Sequence, residues 1–199
     1  TYQLSVKGGR FLEAVSQAET FVFDKTGTLT HAMPKVKDVI TFGGKDKYDM
    51  LRLAACLEEH YPHSMAKAVV DEAERLDLKH EERHTHVDYI VAHGVSSSVD
   101  GEKVVIGNQH FVFEDEGCTI PEGEQDKFDA LPEEYSHLYL CIAGKLSAVI
   151  CIEDPLRSEA REVIDGLHRL GIPKLVMMTG DSGKTARAVA AAVGVDECY

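Results

Sequence analysis

The chain is poor in basic residues: Lys and Arg total 21 against 34 Asp and Glu, a net charge of −13 over 199 residues. Nucleic-acid backbones and anionic lipid surfaces need clustered cations to displace their counterions, so this balance argues against both as partners. The acidic excess serves solubility instead. Cys-x-x-Cys pairs are also missing. The five cysteines, Cys56, Cys118, Cys141, Cys151 and Cys198, are widely spaced, as expected of reduced thiols in a cytosolic compartment. No apolar run approaches the roughly 18–20 residues that cross a bilayer. Thr1 does not begin a signal peptide, and no internal repeat or low-complexity segment occurs. What remains is an ordinary globular composition, 44% apolar, enough for one large or two small domains.

Against that background one stretch stands out. The apolar run Thr20-Phe21-Val22-Phe23 leads into Asp24-Lys25-Thr26-Gly27-Thr28-Leu29-Thr30. This reads as a buried strand that delivers a carboxylate onto a tight loop, the place where parallel sheets keep their chemistry. An aspartate there can attack phosphorus and split one hard transfer into two easier ones. Thr26, Gly27 and Thr28 would supply hydroxyls and backbone N–H groups to phosphoryl oxygens. A second strand, Leu175–Met178, ends in Thr179-Gly180-Asp181. In a parallel sheet its end would lie beside that of the Asp24 strand and offer the Thr179 hydroxyl.

Between these strands the pattern changes. Leu51, Ala54, Ala55 and Leu57 mark one helix, and Met65, Ala66, Val69, Val70, Ala73 and Leu76 another, joined through His60-Tyr61-Pro62-His63-Ser64. Val95–Val99 and Lys103–Ile106 form a hairpin about Asp100-Gly101, and Leu138–Ile142 and Leu146–Ile152 a second about Ala143-Gly144. The acidic segment from Glu114 to Glu134 reads as a long surface excursion with one short helix. After Asp154 the pattern returns to helix, strand and helix, with apolar faces Ala160, Val163, Ile164, Leu167 and Leu170, then Ala188, Val189, Ala192 and Val193. Ser182 or Asp181 caps the last helix. The fold expected is an α/β doubly wound parallel sheet, residues 1–33 and 151–199, interrupted by an α+β insert, residues 34–150. Ten histidines include His84-x-His86 with His80 nearby, but no cysteine partners them and no zinc spacing is met, so they read as surface histidines.

The heptad Asp24–Thr30 resembles the phosphorylation motif of the P-type ATPases without a departure. Lys7-Gly8-Gly9-Arg10-Phe11-Leu12-Glu13 resembles the stretch entering the phosphorylation domain in the heavy-metal-transporting branch. The resemblance implies a haloacid-dehalogenase-like fold carrying an inserted nucleotide-binding domain, with ATP and Mg²⁺ as cofactors. It casts Asp24 as nucleophile, Lys25, Thr26, Thr179, Gly180 and Asp181 around it, and Asp24 with the Thr26 carbonyl as Mg²⁺ ligands. His63-Ser64-Met65-Ala66-Lys67-Ala68-Val69-Val70 resembles the branch's histidine-proline motif, with Ser64 in place of proline. His63 then packs against adenine, with His60 as the rival, and Glu58 or Glu59, the latter preferred, reads the adenine amino group. Ala92-His93-Gly94-Val95 stands where the family has Gly-x-Gly-Val, leaving Gly94; Gly107-Asn108 closes the pocket. Asp154-Pro155-Leu156-Arg157 resembles the family hinge motif, and Arg157 suits a phosphate or ribose edge.

Family members cross the membrane several times, so the chain is expected to be a cytoplasmic piece of such a pump, its transported metal ion held by membrane helices elsewhere. It has no Gly-Asp-Gly-x-Asn-Asp sequence and no preceding lysine. An incomplete phosphorylation domain with a bare sheet edge is therefore expected, one that self-associates and does not phosphorylate itself. Two rivals are weighed. A soluble phosphatase of the same fold would carry an acid two residues after the nucleophile, where Thr26 stands. A nucleotide-binding module without turnover would need the insert alone.

Overall fold

The computed structural model describes residues 5–59, 63–78 and 94–199, together with the backbone of His84–Ile90. The chain divides into two compact units, Thr1–His31 with Leu156–Tyr199, and Ala32–Pro155. The break on the return falls at Leu156, not at Cys151, because the last strand of the inner unit continues to Glu153 in its own sheet and the Asp154 carboxylate accepts from Met33 N at 3.2 Å.

In the outer unit, β1 (Thr20–Asp24) pairs in parallel with β8 (Lys174–Met178), and β9 (Glu197–Cys198) adds in parallel on the far side. Phe21 and Phe23 alternate inward to join Leu29, Leu175 and Met177 beneath α5 (Ala160–Arg169) and α6 (Gly183–Val193). Ser182 Oγ caps α6 by accepting from Thr185 N, and Gly194, at φ +86°, ends it in the left-handed conformation that glycine tolerates. β9 is anchored at its start by Asp196, whose carboxylate accepts from Leu175 N at 2.7 Å. The opposite edge is different: among the described residues β1 pairs with β8 alone, and Val22 stands 57% exposed. Phe11, Leu12 and Val15 of α1 (Gly9–Ser16) are exposed as well.

Two helical faces depart from expectation. On α5, Ala160 and Ile164 are buried and Leu167 packs on the core, but Val163 is exposed and Leu170 is 80% exposed. On α6 the buried row is Thr185, Ala186, Ala190 and Val193, with Ala192 exposed. Consecutive alanines give little apolar contrast from which to read a face.

The inner unit is built on a six-stranded antiparallel sheet in the order β2-β7-β6-β5-β4-β3. Its strands are β2 (Lys35–Thr41), β3 (His84–Ile90), β4 (Gly94–Val99), β5 (Glu102–Gly107), β6 (Ser136–Ile142) and β7 (Lys145–Glu153). The hairpin turns fall where the sequence places them. Asp100 and Gly101 take φ +52° and +83°, and Ala143 and Gly144 take +49° and +74°. One face is covered by α2 (Lys47–Glu58) and α3 (Ser64–Arg75), burying Leu51, Leu57, Val69, Ile106, Leu140 and Ile150. Asp46 caps α2 by accepting from Tyr48 N and Asp49 N.

The other face is closed by Phe111 and Val112, just before the segment read as a surface excursion, and by two residues within it. Phe111, Val112, Cys118 and Leu131 turn inward onto Phe42, Tyr139 and Leu146, so this stretch is a lid on the sheet; it carries the short helix α4 (Gln125–Asp129). All five cysteines are free thiols, and all but Cys198 are buried. Burial pushes the Cys118 and Cys141 thiols up from their ordinary range, and that of Cys151 to about 12. Among the described residues no helix is long and apolar enough to cross a membrane, and no cluster of three His, Cys, Asp or Glu is placed to hold a metal. His60, His80, Ala92 and His93, with the side chains of His84 and His86, lie outside the described residues.

Candidate functional site

In the outer unit the parallel register pairs Asp24 with Met178, so Asp24 and Thr179 end adjacent strands at the same edge. The chain then makes a tight turn, because Gly27 takes φ +80°, which a side chain resists. Thr30 locks this turn. Its Oγ1 accepts from Gly27 N at 3.1 Å and donates to the Lys25 carbonyl at 3.2 Å, and its own N–H donates to the same carbonyl at 3.1 Å. Asp24, Thr26, Gly27 and Thr28 stay exposed. A carboxylate, two hydroxyls and backbone amides are thus presented to solvent on a braced loop.

Lys25 turns the other way. It is 5% exposed, and its ammonium forms an ion pair with Asp181 from the loop after β8. The pair ties the two loops together, and a buried charge needs such a partner to be tolerated. Thr179 Oγ1 accepts from Asp181 N at 3.2 Å, and Thr179 N donates to the Tyr199 carbonyl at 2.8 Å. Gly180 faces open space. Arg157 also belongs here: Nη2 donates to the Gly27 carbonyl at 3.3 Å, and its backbone N–H to the Leu29 carbonyl at 2.9 Å.

In the inner unit His63 caps α3, its Nδ1 accepting from Ala66 N at 3.1 Å. An accepting Nδ1 leaves the proton on Nε2, which lies 3.1 Å from a Glu58 carboxylate oxygen. Glu58 is 1% exposed and His63 keeps 38% of its side chain open, so the acid lies on the buried side of the ring. Glu59 ends α2 exposed and is not the residue set against His63. The sequence carried a signal for Glu58: it continues the Leu51, Ala54, Ala55 row at helical spacing, on the inward face of α2.

Gly94 opens β4 opposite Gly107 in β5. A Cβ on Gly94 would meet the Ile106 carbonyl at 2.3 Å, Phe111 Cδ1 at 2.6 Å and Gly107 Cα at 2.8 Å. Its own sheet neighbours therefore require glycine here. Asn108 Oδ1 accepts from Phe111 N at 2.9 Å and so caps the following turn. A cavity of about 590 Å³ runs along α3 past Ser64, Lys67, Ala68, Asp71 and Arg75, facing the Met33–Lys37 segment.

Exposed oxygen donors at Asp24 and Thr26 suit Mg²⁺, which takes one or two carboxylates and keeps several waters. A half-open histidine ring suits stacking against a base, whereas the cavity along α3 is lined by none of Glu58, His63, Gly94, Gly107 and Asn108.

The haloacid dehalogenase-like hydrolase family model matches residues 18–199. The chain is 34% identical over 193 residues to the copper-exporting P-type ATPase of Staphylococcus haemolyticus, covering 96% of this chain and 23% of that protein. It is 32% identical over 193 residues to the silver exporting P-type ATPase of Salmonella typhimurium, again covering 96% and 23%. The crystal structure of a zinc-transporting PIB-type ATPase in its E2.Pi state matches with a TM-score of 0.67 at 28% identity, over 96% of this chain and 30% of that one. The chain thus spans about a quarter of the length of these relatives. With the family model running from the residues before β1 to Tyr199, the chain belongs to the haloacid dehalogenase-like hydrolases, and its homologues are heavy-metal-exporting P-type ATPases.

Proposed function

We propose that this chain carries the ATP-binding and phosphoryl-accepting parts of a heavy-metal-exporting P-type ATPase, working at the cytoplasmic face of a membrane. An Asp24 carboxylate oxygen attacks the γ-phosphorus of ATP, the bond to the bridging oxygen breaks, and ADP leaves with the electron pair. Water later cleaves the aspartyl-phosphate, and in the whole pump that cycle moves a metal ion bound by membrane helices.

The observation that carries this reading is the exposed Asp24 at the end of β1, on a turn braced by Thr30 and beside Thr179. Thr26, two residues on, has no acid to activate water, which favours a phosphorylated state that persists over a phosphatase that turns over quickly. Thr28 and Thr179 supply donors to the phosphoryl oxygens. Asp24 and the Thr26 carbonyl would hold Mg²⁺, which supplies charge neutralisation at the phosphate. In the inner unit His63, held by Glu58, presents its ring to the adenine, with Gly94, Gly107 and Asn108 around it and Glu59 at the rim.

Acid-quenched labelling of the whole pump with γ-phosphate-labelled ATP tests the reading, alongside calorimetric ATP titration of this chain, which is not expected to phosphorylate itself. Asp24→Asn is expected to abolish label and leave ATP affinity within about twofold, whereas His63→Ala lowers affinity roughly tenfold, the loss of one well-placed contact. Label that survives Asp24→Asn would remove Asp24 as acceptor.

A further inference from the structure

We infer that Arg157 is a positioning residue for the phosphoryl-acceptor turn and not a contact to the nucleotide. The inference rests on the acceptor reading above and concerns the outer unit alone. In a trans peptide the carbonyl of one residue and the N–H of the next point in opposite directions, so fixing one fixes the other. Arg157 Nη2 donates to the Gly27 carbonyl at 3.3 Å. The Thr28 N–H, in the same peptide, is therefore directed away from Arg157.

The same logic applies one step earlier. The Lys25 carbonyl is taken by Thr30 N and Thr30 Oγ1, so the Thr26 N–H points away from Thr30. Two alternate amides of the turn are thus oriented by bonds made on their far sides, which is the preorganisation an anion site needs. Gly27 at φ +80° has no side chain to restrict it, and its N–H and its carbonyl are held by Thr30 and Arg157 respectively.

The backbone around Arg157 is fastened too. Its N–H donates to the Leu29 carbonyl at 2.9 Å, Leu156 bridges Thr30, and the Glu159 carboxylate lies 3.9 Å from Nη1. Swinging the guanidinium toward a nucleotide would give up the Gly27 bond. A planar fork with several donors suits this task better than a lysine, which offers one flexible point charge.

The experiment uses the 199-residue chain as Arg157→Ala, Arg157→Met and Arg157→Lys, with three measurements. The first is hydrogen exchange of the Gly27 amide, which Thr30 protects. The second is binding of beryllofluoride with Mg²⁺, a mimic of the phosphoryl group on Asp24, followed by ¹⁹F NMR. The third is calorimetric titration with Mg·ATP. For Ala and Met, Gly27 exchange should quicken about tenfold and beryllofluoride binding weaken about tenfold, the loss of one hydrogen bond from a charged donor, while ATP affinity stays within twofold. Lys should recover part of both losses. A tenfold loss of ATP affinity with Gly27 exchange unchanged would overturn the proposal. So would unchanged values in all three. If wild type takes up no beryllofluoride, the acceptor reading has failed for this chain, and the exchange arm alone still decides whether Arg157 braces the turn.

Discussion

The two units carry their sheets in opposite ways. The inner sheet has six strands and is covered on both faces, by α2 and α3 on one side and by the Phe111–Leu131 lid on the other. Among the described residues the outer sheet has three strands, leaves Val22 exposed on its terminal strand, and keeps its polar loops in solvent. Its loops are tied by the buried Lys25–Asp181 ion pair, whereas the inner unit's buried carboxylate, Glu58, sits beside the half-open His63. The difference teaches where each unit spends its order. The inner one is shaped by packing, and its glycines and caps answer to neighbouring backbone. The outer one is shaped by hydrogen bonds that hold a short turn ready for an anion.

The same substitution should therefore give opposite results in the two units. Gly94→Ala forces a Cβ against the Ile106 carbonyl at 2.3 Å and is expected to cost about 3 kcal/mol or more. Gly180→Ala meets nothing within 4 Å at a backbone any residue accepts, and should change stability by less than about 0.5 kcal/mol. Denaturant melts read both; equal effects would break the contrast.

Thiol chemistry gives a smaller separation. Cys198 of the outer unit is half-buried, whereas the inner unit's Cys56, Cys118, Cys141 and Cys151 are buried. Native protein should yield one fast-reacting thiol toward a chromogenic disulfide reagent and the rest only on unfolding. Fast reaction of a second thiol would mean that the inner core opens more readily than its packing suggests.

The smallest effect is electrostatic. The Glu114 carboxylate, and Asp115 more weakly, raise the His110 imidazole above its ordinary value. A folded value above the unfolded one means that the stabilisation is complete below the unfolded pKa and is lost as pH rises through the folded one. His110→Asn should therefore lower the inner unit's stability slightly at about pH 6 and hardly at all at about pH 8.5, with salt reducing the difference. A pH-independent effect would show that the fully exposed pair contributes nothing.

Much of this was legible in the sequence, and unevenly so. Asp24–Thr30 and Thr179–Asp181 could be placed at strand ends because each follows an apolar run too short for a helix. β2 was missed since Asp38 breaks the alternation that Lys35, Val36 and Lys37 begin, at a bulge between Val36 and Asp38 that shifts the register. Most of Glu114–Glu134, read as a surface excursion, is exposed or half-buried, and its two buried residues, Cys118 and Leu131, are scattered among acids with no period to reveal them. The resemblance left Glu58 and Glu59 as alternatives with Glu59 preferred, and helical rotation sets Glu58 inward against His63. Arg157 suited a phosphate by its chemistry alone, and only the structure brings it to the Gly27 carbonyl.

The bridge between Thr30 and Leu156 has a further meaning for the chain's connectivity. It fastens the two points at which the polypeptide leaves the outer unit and returns to it, so that everything between them is, to that unit, a closed loop. The entropy of closing a loop grows only with the logarithm of its length, about 0.6 kcal/mol for each doubling. The outer unit can thus tolerate a longer or shorter insertion at nearly constant thermodynamic expense, provided those two residues still meet.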